Sequence, residues 1–334
     1  MTLDRPSDRP FDHPLGQFVG RGAIPGAAAP SDPLKDPAGY RAGDDLVRAV
    51  NVALALRMPL LVTGDPGTGK TQLAYRMAAE LGLGPVLRFD TKSASQAQDL
   101  FYQFDSVRQF AQAQLDASAG RVMAAPQDFV RWQALGQAIL RTLDPDALAA
   151  QLGAAHRHAA AVQSLVLIDE IDKAPRDFPN DLLNQIENRE FHLPELGAHF
   201  QAAEALAPVV VITSNSERQL PEAFLRRCVY HHIEFPKDMA ELQNILGARL
   251  ARLPLGGQAL QDAVALFFRI REDRGFSRAP STSELLDWLR ALASAGLQDA
   301  LPLAGQTVPL RAAIGSLFKT REDLERARSQ HLKL

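Results

Sequence analysis

Cysteine is nearly missing from this chain: Cys228 is the one thiol in 334 residues. No disulfide can therefore form within it, which fits a reducing compartment. A marked excess of either charge is missing too, since 36 Lys and Arg stand against 39 Asp and Glu, a formal net charge of -3. That balance supplies no whole-chain field drawing it to nucleic acid or an anionic membrane. No run approaches about 18 consecutive apolar residues, so no membrane-spanning helix is expected. The first eleven residues are rich in Asp, Arg and Pro and have no apolar stretch, so no secretory signal is expected there. These absences point to the cytoplasm.

What is present is ordinary globular composition, 46% hydrophobic and 22% charged, with length enough for about two domains. Residues 1–33 are punctuated by prolines and glycines without helical or strand period, which predicts a flexible arm. A helix is predicted from Asp44 to Arg57, where Val47, Val50 and Leu54 recur at helical spacing. Short apolar runs then begin at Pro59, Pro85, Ser164, Pro208 and Tyr230. Most carry almost no charge, as strands buried on both faces do. With helical stretches between them they predict an α/β fold, a parallel five-stranded sheet flanked by helices over residues 34–236. Residues 90–163 exceed one crossover and read as an Ala- and Gln-rich helical insertion, centred on 91–160. Residues 237–334 read as an all-helical domain, with Ser281 and Glu284 at capping-box spacing and a last charged helix from Glu322 to His331.

The strongest signal is Gly64-Asp65-Pro66-Gly67-Thr68-Gly69-Lys70-Thr71, which satisfies G-x-x-x-x-G-K-[ST] at every fixed position. Gly64, Gly67 and Gly69 let the backbone wrap so that successive N–H groups converge on a β-phosphate. Lys70 supplies a point charge between β- and γ-phosphates, and the Thr71 hydroxyl suits a magnesium ion. A strand precedes the loop, and a helix follows it with its positive end toward the phosphates.

Further on, Leu165-Val-Leu-Ile-Asp-Glu170 ends a buried strand in two acids. A carboxylate there costs desolvation unless it serves a cation. Asp169 therefore suits magnesium and Glu170 suits polarising the attacking water. Asn215 closes another strand end, where ligands bind in open α/β sheets, although an ordinary turn asparagine explains it equally well. Arg226 and Arg227 end a predicted helix. They either complement its dipole or project to a neighbouring subunit as an arginine finger, and from the residues alone the two readings stand level.

In this order the four motifs, at 64–71, 165–170, 213–215 and 220–227, resemble those of the AAA+ ATPases, and specifically the MoxR-like branch, over residues 38–300. The resemblance implies an AAA+ P-loop core with a C-terminal all-α lid domain, and ATP and Mg²⁺ as ligands. It implies Walker A roles for Gly64, Asp65, Pro66, Gly67, Thr68, Gly69, Lys70, Thr71 and Gln72, and Walker B roles for Asp169 and Glu170. Asn215 would be sensor 1, and Arg227 the finger with Arg226 as understudy. The stretch 189–197, followed by Pro208, is similar to the hairpin this branch inserts before its sensor 1 strand. Sensor 2 departs from the pattern: within Ser277-Arg-Ala-Pro-Ser-Thr-Ser283 the substitute is Arg278, with Thr282 or Ser283 as alternatives. Tyr40 either lines the adenine pocket or is a surface residue. Also implied are a homo-oligomeric, hexameric ring, a client protein to remodel, and a partner bearing a von Willebrand A domain.

Competing readings are a nucleotide-gated assembly or signalling module with slow hydrolysis, a nucleic-acid motor, and a small-molecule P-loop kinase. Balanced charge and the lack of a DNA-binding motif argue against the motor. A kinase would need neither Asn215 and Arg227 nor a helical C-terminal domain. His231 and His232 point to opposite faces of a predicted strand, against joint metal ligation. His156 and His158 have no acidic or Cys neighbours in sequence, while Trp132, Trp288 and Cys228 read as packing.

Overall fold

Uninterrupted apolar runs make the central strands because only a strand covered on both faces can lack polar positions. In the computed structural model, which describes residues 15–21, 24, 36–216, 220–236, 238–250 and 255–332, those runs become β1 (Leu60–Gly64), β5 (Leu165–Asp169) and β8 (Val209–Ser214). Every residue of β1 and β5 is buried. The flanking strands β2 (Leu87–Asp90) and β9 (Val229–Ile233) alternate in burial, as edge strands do. The order is β2-β5-β8-β1-β9. The pairs β1/β8, β2/β5 and β5/β8 are parallel, which sets their carboxyl ends along one edge.

The chain divides into two compact units. The first comprises Met1–Gly20, Gly43–Thr63 and Ala74–His232, and the second Arg21–Ala42, Gly64–Leu73 and Ile233–Leu334. In the first, α1 (Asp44–Leu56) ends in Arg57 at φ 53, a left-handed cap whose N–H reaches Ala53 O. The arm expected over 1–33 lies mostly outside the described residues, but part of what is described is anchored. Phe18 is fully buried, its N–H donating to Asn51 Oδ1 (2.9 Å) and its carbonyl accepting from Asn51 Nδ2 (2.8 Å). Glu80, at the end of α2 (Lys70–Glu80), accepts from the N–H groups of Val19 and Gly20 and pairs with the buried Arg76 at 2.8 Å.

The segment 91–160 is not all helix. It holds α3 (Ser106–Ala119), α4 (Ala134–Leu140) and α5 (Pro145–Leu152), and also β3 (Tyr102–Phe104) and β4 (Val130–Trp132), paired antiparallel. Strands of three residues are too short to show a period, and only their aromatic and β-branched content hints at them. Exposed apolar side chains gather on α3 and beyond it: Val107, Phe110, Leu115, Val122 and Met123. After α6 (Phe178–Asn188), the expected hairpin is formed by β6 (Glu190–Leu193) and β7 (Ala198–Gln201), with Phe191 opposite Phe200. The short α7 (Glu222–Leu225) leads to β9.

In the second unit the C-terminal helices are α8 (Met239–Arg249), α9 (Gln258–Glu272), α10 (Thr282–Ser294), α11 (Thr307–Leu317) and α12 (Arg321–Arg326). The last continues as a π-helical stretch over Ala327–Leu332. The capping box at the start of α10 forms, with Ser281 N–H donating to Glu284 Oε2 at 2.8 Å. Leu246, Phe267, Ile270, Trp288, Leu289 and Ile314 make the core of this helical part. No helix among the described residues is long and apolar enough to cross a membrane.

Candidate functional site

Strand β1 ends on Gly64, where the phosphate-loop motif begins, and only glycine can follow the path the loop takes. Gly64, Gly67 and Gly69 have φ of 145°, 83° and 93°, where L side chains are strained. Space forbids a side chain as well: a Cβ on Gly64 would lie 2.5 Å from Ile233 O, and one on Gly67 2.3 Å from Ser283 Oγ. Lys70 opens α2 and is buried, its Nζ donating to the loop carbonyls of Gly64 (2.7 Å) and Asp65 (3.0 Å). Thr68 Oγ1 donates to Asp65 O at 2.8 Å. Pro66 lies within this loop, and Thr71 and Gln72 continue the first turn of α2. Gln72 Oε1 is buried with no donor in reach among the described residues.

Two further elements of the second unit press on this loop. Ser281 and Ser283, at the start of α10, crowd Gly67, and their hydroxyls lie 3.1 Å apart. Tyr40 is buried rather than on the surface, and a Cβ on Gly69 would lie 3.2 Å from its ring. Burial raises the Tyr40 phenol well above its usual range, against the opposing pull of Arg249. Arg278 turns to Glu284, 3.5 Å away, and stays half-exposed. The arginine that feels the charge of Asp65 is Arg271, at the end of α9. Its guanidinium lies 3.5 Å above the Phe235 ring and donates to Pro280 O. Burial lowers its pKa, with Asp65 and Glu284 acting the other way. Arg271 lies outside the Ser277–Ser283 motif, and its one signal in the sequence is a charge in the last turn of an otherwise apolar helix face.

In the first unit, acidic residues stand on the carboxyl edge of the sheet. Asp169, 5% exposed, accepts the Thr213 hydroxyl at 2.6 Å on Oδ1 and meets the Arg88 guanidinium at 2.9 Å on Oδ2. Parallel register sets Asp90 of β2 beside Asp169, and Arg88 also bridges Asp90 at 2.6 Å. Burial works against the charge on Arg88. Hydrogen bonding to Tyr75 and the charges of Asp169 and Asp90 outweigh it and raise its pKa. Glu170 has φ 56, one of three non-glycine residues beyond φ 0 among those described. The other two, Arg57 and Arg189, cap helix carboxyl ends, where that conformation is ordinary. Glu170 has no such reason, and strain of this sort concentrates at functional sites. Thr213 holds it there, its Oγ1 accepting the Glu170 N–H at 2.8 Å. The Glu170 carboxylate is half-exposed and paired with Lys173, whose pKa the contact raises.

Asn215 follows β8, its N–H donating to Asp172 Oδ1 at 3.1 Å. Arg227 pairs with Glu187 at 2.8 Å and donates to Ala223 O at 3.1 Å, while Arg226 pairs with Glu222. Arg227 thus caps a carbonyl of its own short helix while both arginines remain accessible, so neither role expected for the pair is excluded by the geometry. Motif reasoning misses the parts played by Arg88, Thr213 and Lys173. The first has a visible signal, a lone charge inside the apolar run that opens at Pro85.

A magnesium-bound nucleotide fits these residues. The glycine loop forms a cradle that a Cβ would fill, and Thr71 in the second unit and Asp169 in the first each offer a hard oxygen of the kind magnesium takes. Mg²⁺ takes few protein ligands, keeps its waters and shares the phosphates. Among the described residues no three His, Cys, Asp or Glu group to hold a metal on their own. A cation already neutralises Asp169, in the form of Arg88. Cys228 is half-buried, and burial pushes its thiol up to about 12.

Residues 59–228 match the family described as AAA domain (dynein-related subfamily). No curated protein matches the chain. Among solved structures it is similar to the Thermotoga maritima RuvB Holliday junction branch migration motor, at 15% identity and a TM-score of 0.45, over 81% of this chain and 68% of that one. A mutant of that RuvB is similar at 16% identity and the same TM-score, over 80% and 68%.

Proposed function

The chain belongs to the AAA domain family, in its dynein-related subfamily, and from that premise we propose that it binds magnesium–ATP and hydrolyses it within a ring of identical subunits. The observation that carries this reading is the glycine loop, whose three positive-φ glycines and buried Lys70 form a phosphate cradle. Loop amides from Asp65 to Thr71, with Lys70, hold the phosphates. Magnesium, when bound, neutralises charge on the transferring phosphoryl. Thr71 and Asp169 would hold that ion, and Glu170 would orient and deprotonate the attacking water. Asn215 positions that water or the γ-phosphate, and Arg227 completes the site of the neighbouring subunit, with Arg226 able to replace it. Tyr40 borders the base, and Arg271 is a stronger choice than Arg278 for sensing the nucleotide from α9 and α10.

The finer placement we favour is the MoxR-like branch: a hexamer that remodels a client protein with a von Willebrand A domain partner. The four motifs and the β6–β7 hairpin ahead of β8 support it. A second reading, a nucleotide-gated assembly module with slow turnover, is favoured by the Lys173–Glu170 pair, which engages the catalytic base. Turnover per protomer, measured across a wide range of protein concentration, tests both. Specific activity that rises with concentration and is lost in Arg227→Ala supports the ring ATPase. Flat activity indifferent to Arg227→Ala overturns it.

A further inference from the structure

Arg88 stands where nothing in the four motifs predicts a charge. The β2–β5 register sets Asp90 beside Asp169 on neighbouring parallel strands, and like charges placed side by side in a sheet destabilise it. Arg88 lies two residues from Asp90 on the same face of β2, and its guanidinium bridges both carboxylates, at 2.6 Å and 2.9 Å. The other oxygen of Asp169 is committed to Thr213. The carboxylate assigned to magnesium thus already carries a positive charge supplied by the edge strand.

We propose that Arg88 is a positioning residue that stands in for the metal: it occupies Asp169 when magnesium is absent and withdraws to Asp90 when magnesium arrives, so it sets how much magnesium the site needs. The inference rests on the nucleotide reading above. Withdrawal is feasible because Arg88 is about half-exposed, with a side-chain accessibility of 42%, whereas Asp169 and Thr213 are buried and fixed. Asp90, 64% accessible, is a harbour that keeps the guanidinium paired after it leaves. Displacing one cation by another costs the ion the strength of the first contact. A neighbouring opposite charge biases a carboxylate by roughly 1–3 pK units, so the effect on magnesium affinity is on the order of tenfold.

The test uses the full chain and a fluorescent ADP analogue, titrated first in EDTA and then against magnesium. With Arg88→Ala, nucleotide binding in EDTA should stay within about twofold of the unaltered chain, while half-saturating magnesium falls by roughly tenfold. Arg88→Lys keeps the charge and should restore most of the original requirement. Asp90→Asn removes the harbour. It should raise half-saturating magnesium when Arg88 is present and change it much less in the Arg88→Ala background. Melting in EDTA should drop for Arg88→Ala, and added magnesium with nucleotide should close that gap. If Arg88→Ala binds nucleotide normally in EDTA yet needs the same magnesium, Arg88 only neutralises two strands and the proposal fails. Failure of the unaltered chain to bind the analogue at all, with or without magnesium, overturns the nucleotide reading instead.

Discussion

The carboxyl edge of the sheet and the C-terminal helices use polar groups in opposite ways. At the sheet edge a carboxylate, a hydroxyl and a strained backbone are locked together: Asp169 on Thr213, and Thr213 on Glu170. Those bonds hold chemistry in place, and an unpaired partner there would cost its full desolvation. In the helical part the core is apolar, from Leu246 through Leu289 to Ile314, and polar contacts tie the segments around it, as the buried Asp323 does with Ser277 at 2.9 Å. Asp273, for instance, clasps Arg326 at 2.9 Å and His331 at 2.9 Å. Where a region must only stay folded, burial of apolar surface suffices. Where it must act, polar groups such as Asp169 and Thr213 are buried and held by a partner.

Substitutions can break that contrast. The largest effect expected is on turnover at the sheet edge: Glu170→Gln should lower kcat by about 10²–10⁴-fold while ATP binding and melting temperature hold, as read by steady-state hydrolysis beside calorimetric binding. A Glu170→Gln chain that turns over normally would remove Glu170 as the base. Next in size, Leu289→Ala in the fully buried helical core should cost roughly 2–5 kcal/mol of stability, measured by urea denaturation. It should not change the turnover of molecules that remain folded. Thr213→Val sharpens the comparison because it strikes both kinds of role. It takes a donor from Asp169 and an acceptor from the Glu170 N–H, so a cost of about 1–3 kcal/mol should accompany a fall in kcat well beyond the unfolded fraction. Equal losses of stability and kcat would make Thr213 purely structural.

The smallest effect concerns pH and the rim of the helical part. Bonds from Arg326 and His331, then from the Gly275 N–H, hold the Asp273 carboxyl well below its usual range. A depressed folded pKa stabilises above the unfolded value, about 3.9 for Asp. It is lost as pH falls through the folded value. Asp273→Asn should therefore lower the melting temperature at pH 6 and reduce its dependence on acid below about pH 4. A variant whose melting curve parallels the unaltered chain at every pH would show that the clasp contributes nothing.

Much of the fold is legible in the order of residues. The five apolar runs announce five strands, and the Ser281–Glu284 spacing announces a capping box that forms as expected. Leu60–Gly64 can be placed because a strand buried on both faces leaves a continuous apolar signature. β3 and β4 cannot, since three residues carry no period. Arg278 stands out by its neighbours in sequence, yet it turns to Glu284, and Arg271, at the end of α9, feels the loop acid. Cross-strand partners such as Arg88 and Thr213 depend on register, which no local pattern reveals.

Sequence alone determined the chemistry on offer: three glycines, a lysine and a hydroxyl at phosphate-loop spacing, and two acids closing a buried strand. Local rules suffice there, because backbone conformation at glycine and side-chain alternation along a strand act over a few residues. Only the tertiary structure decided that Thr213 would hold both Asp169 and the left-handed Glu170, and that Arg88 would carry a cation to Asp169. Those contacts join residues more than forty positions apart, and they exist because parallel pairing aligns strands far apart in sequence within hydrogen-bonding distance.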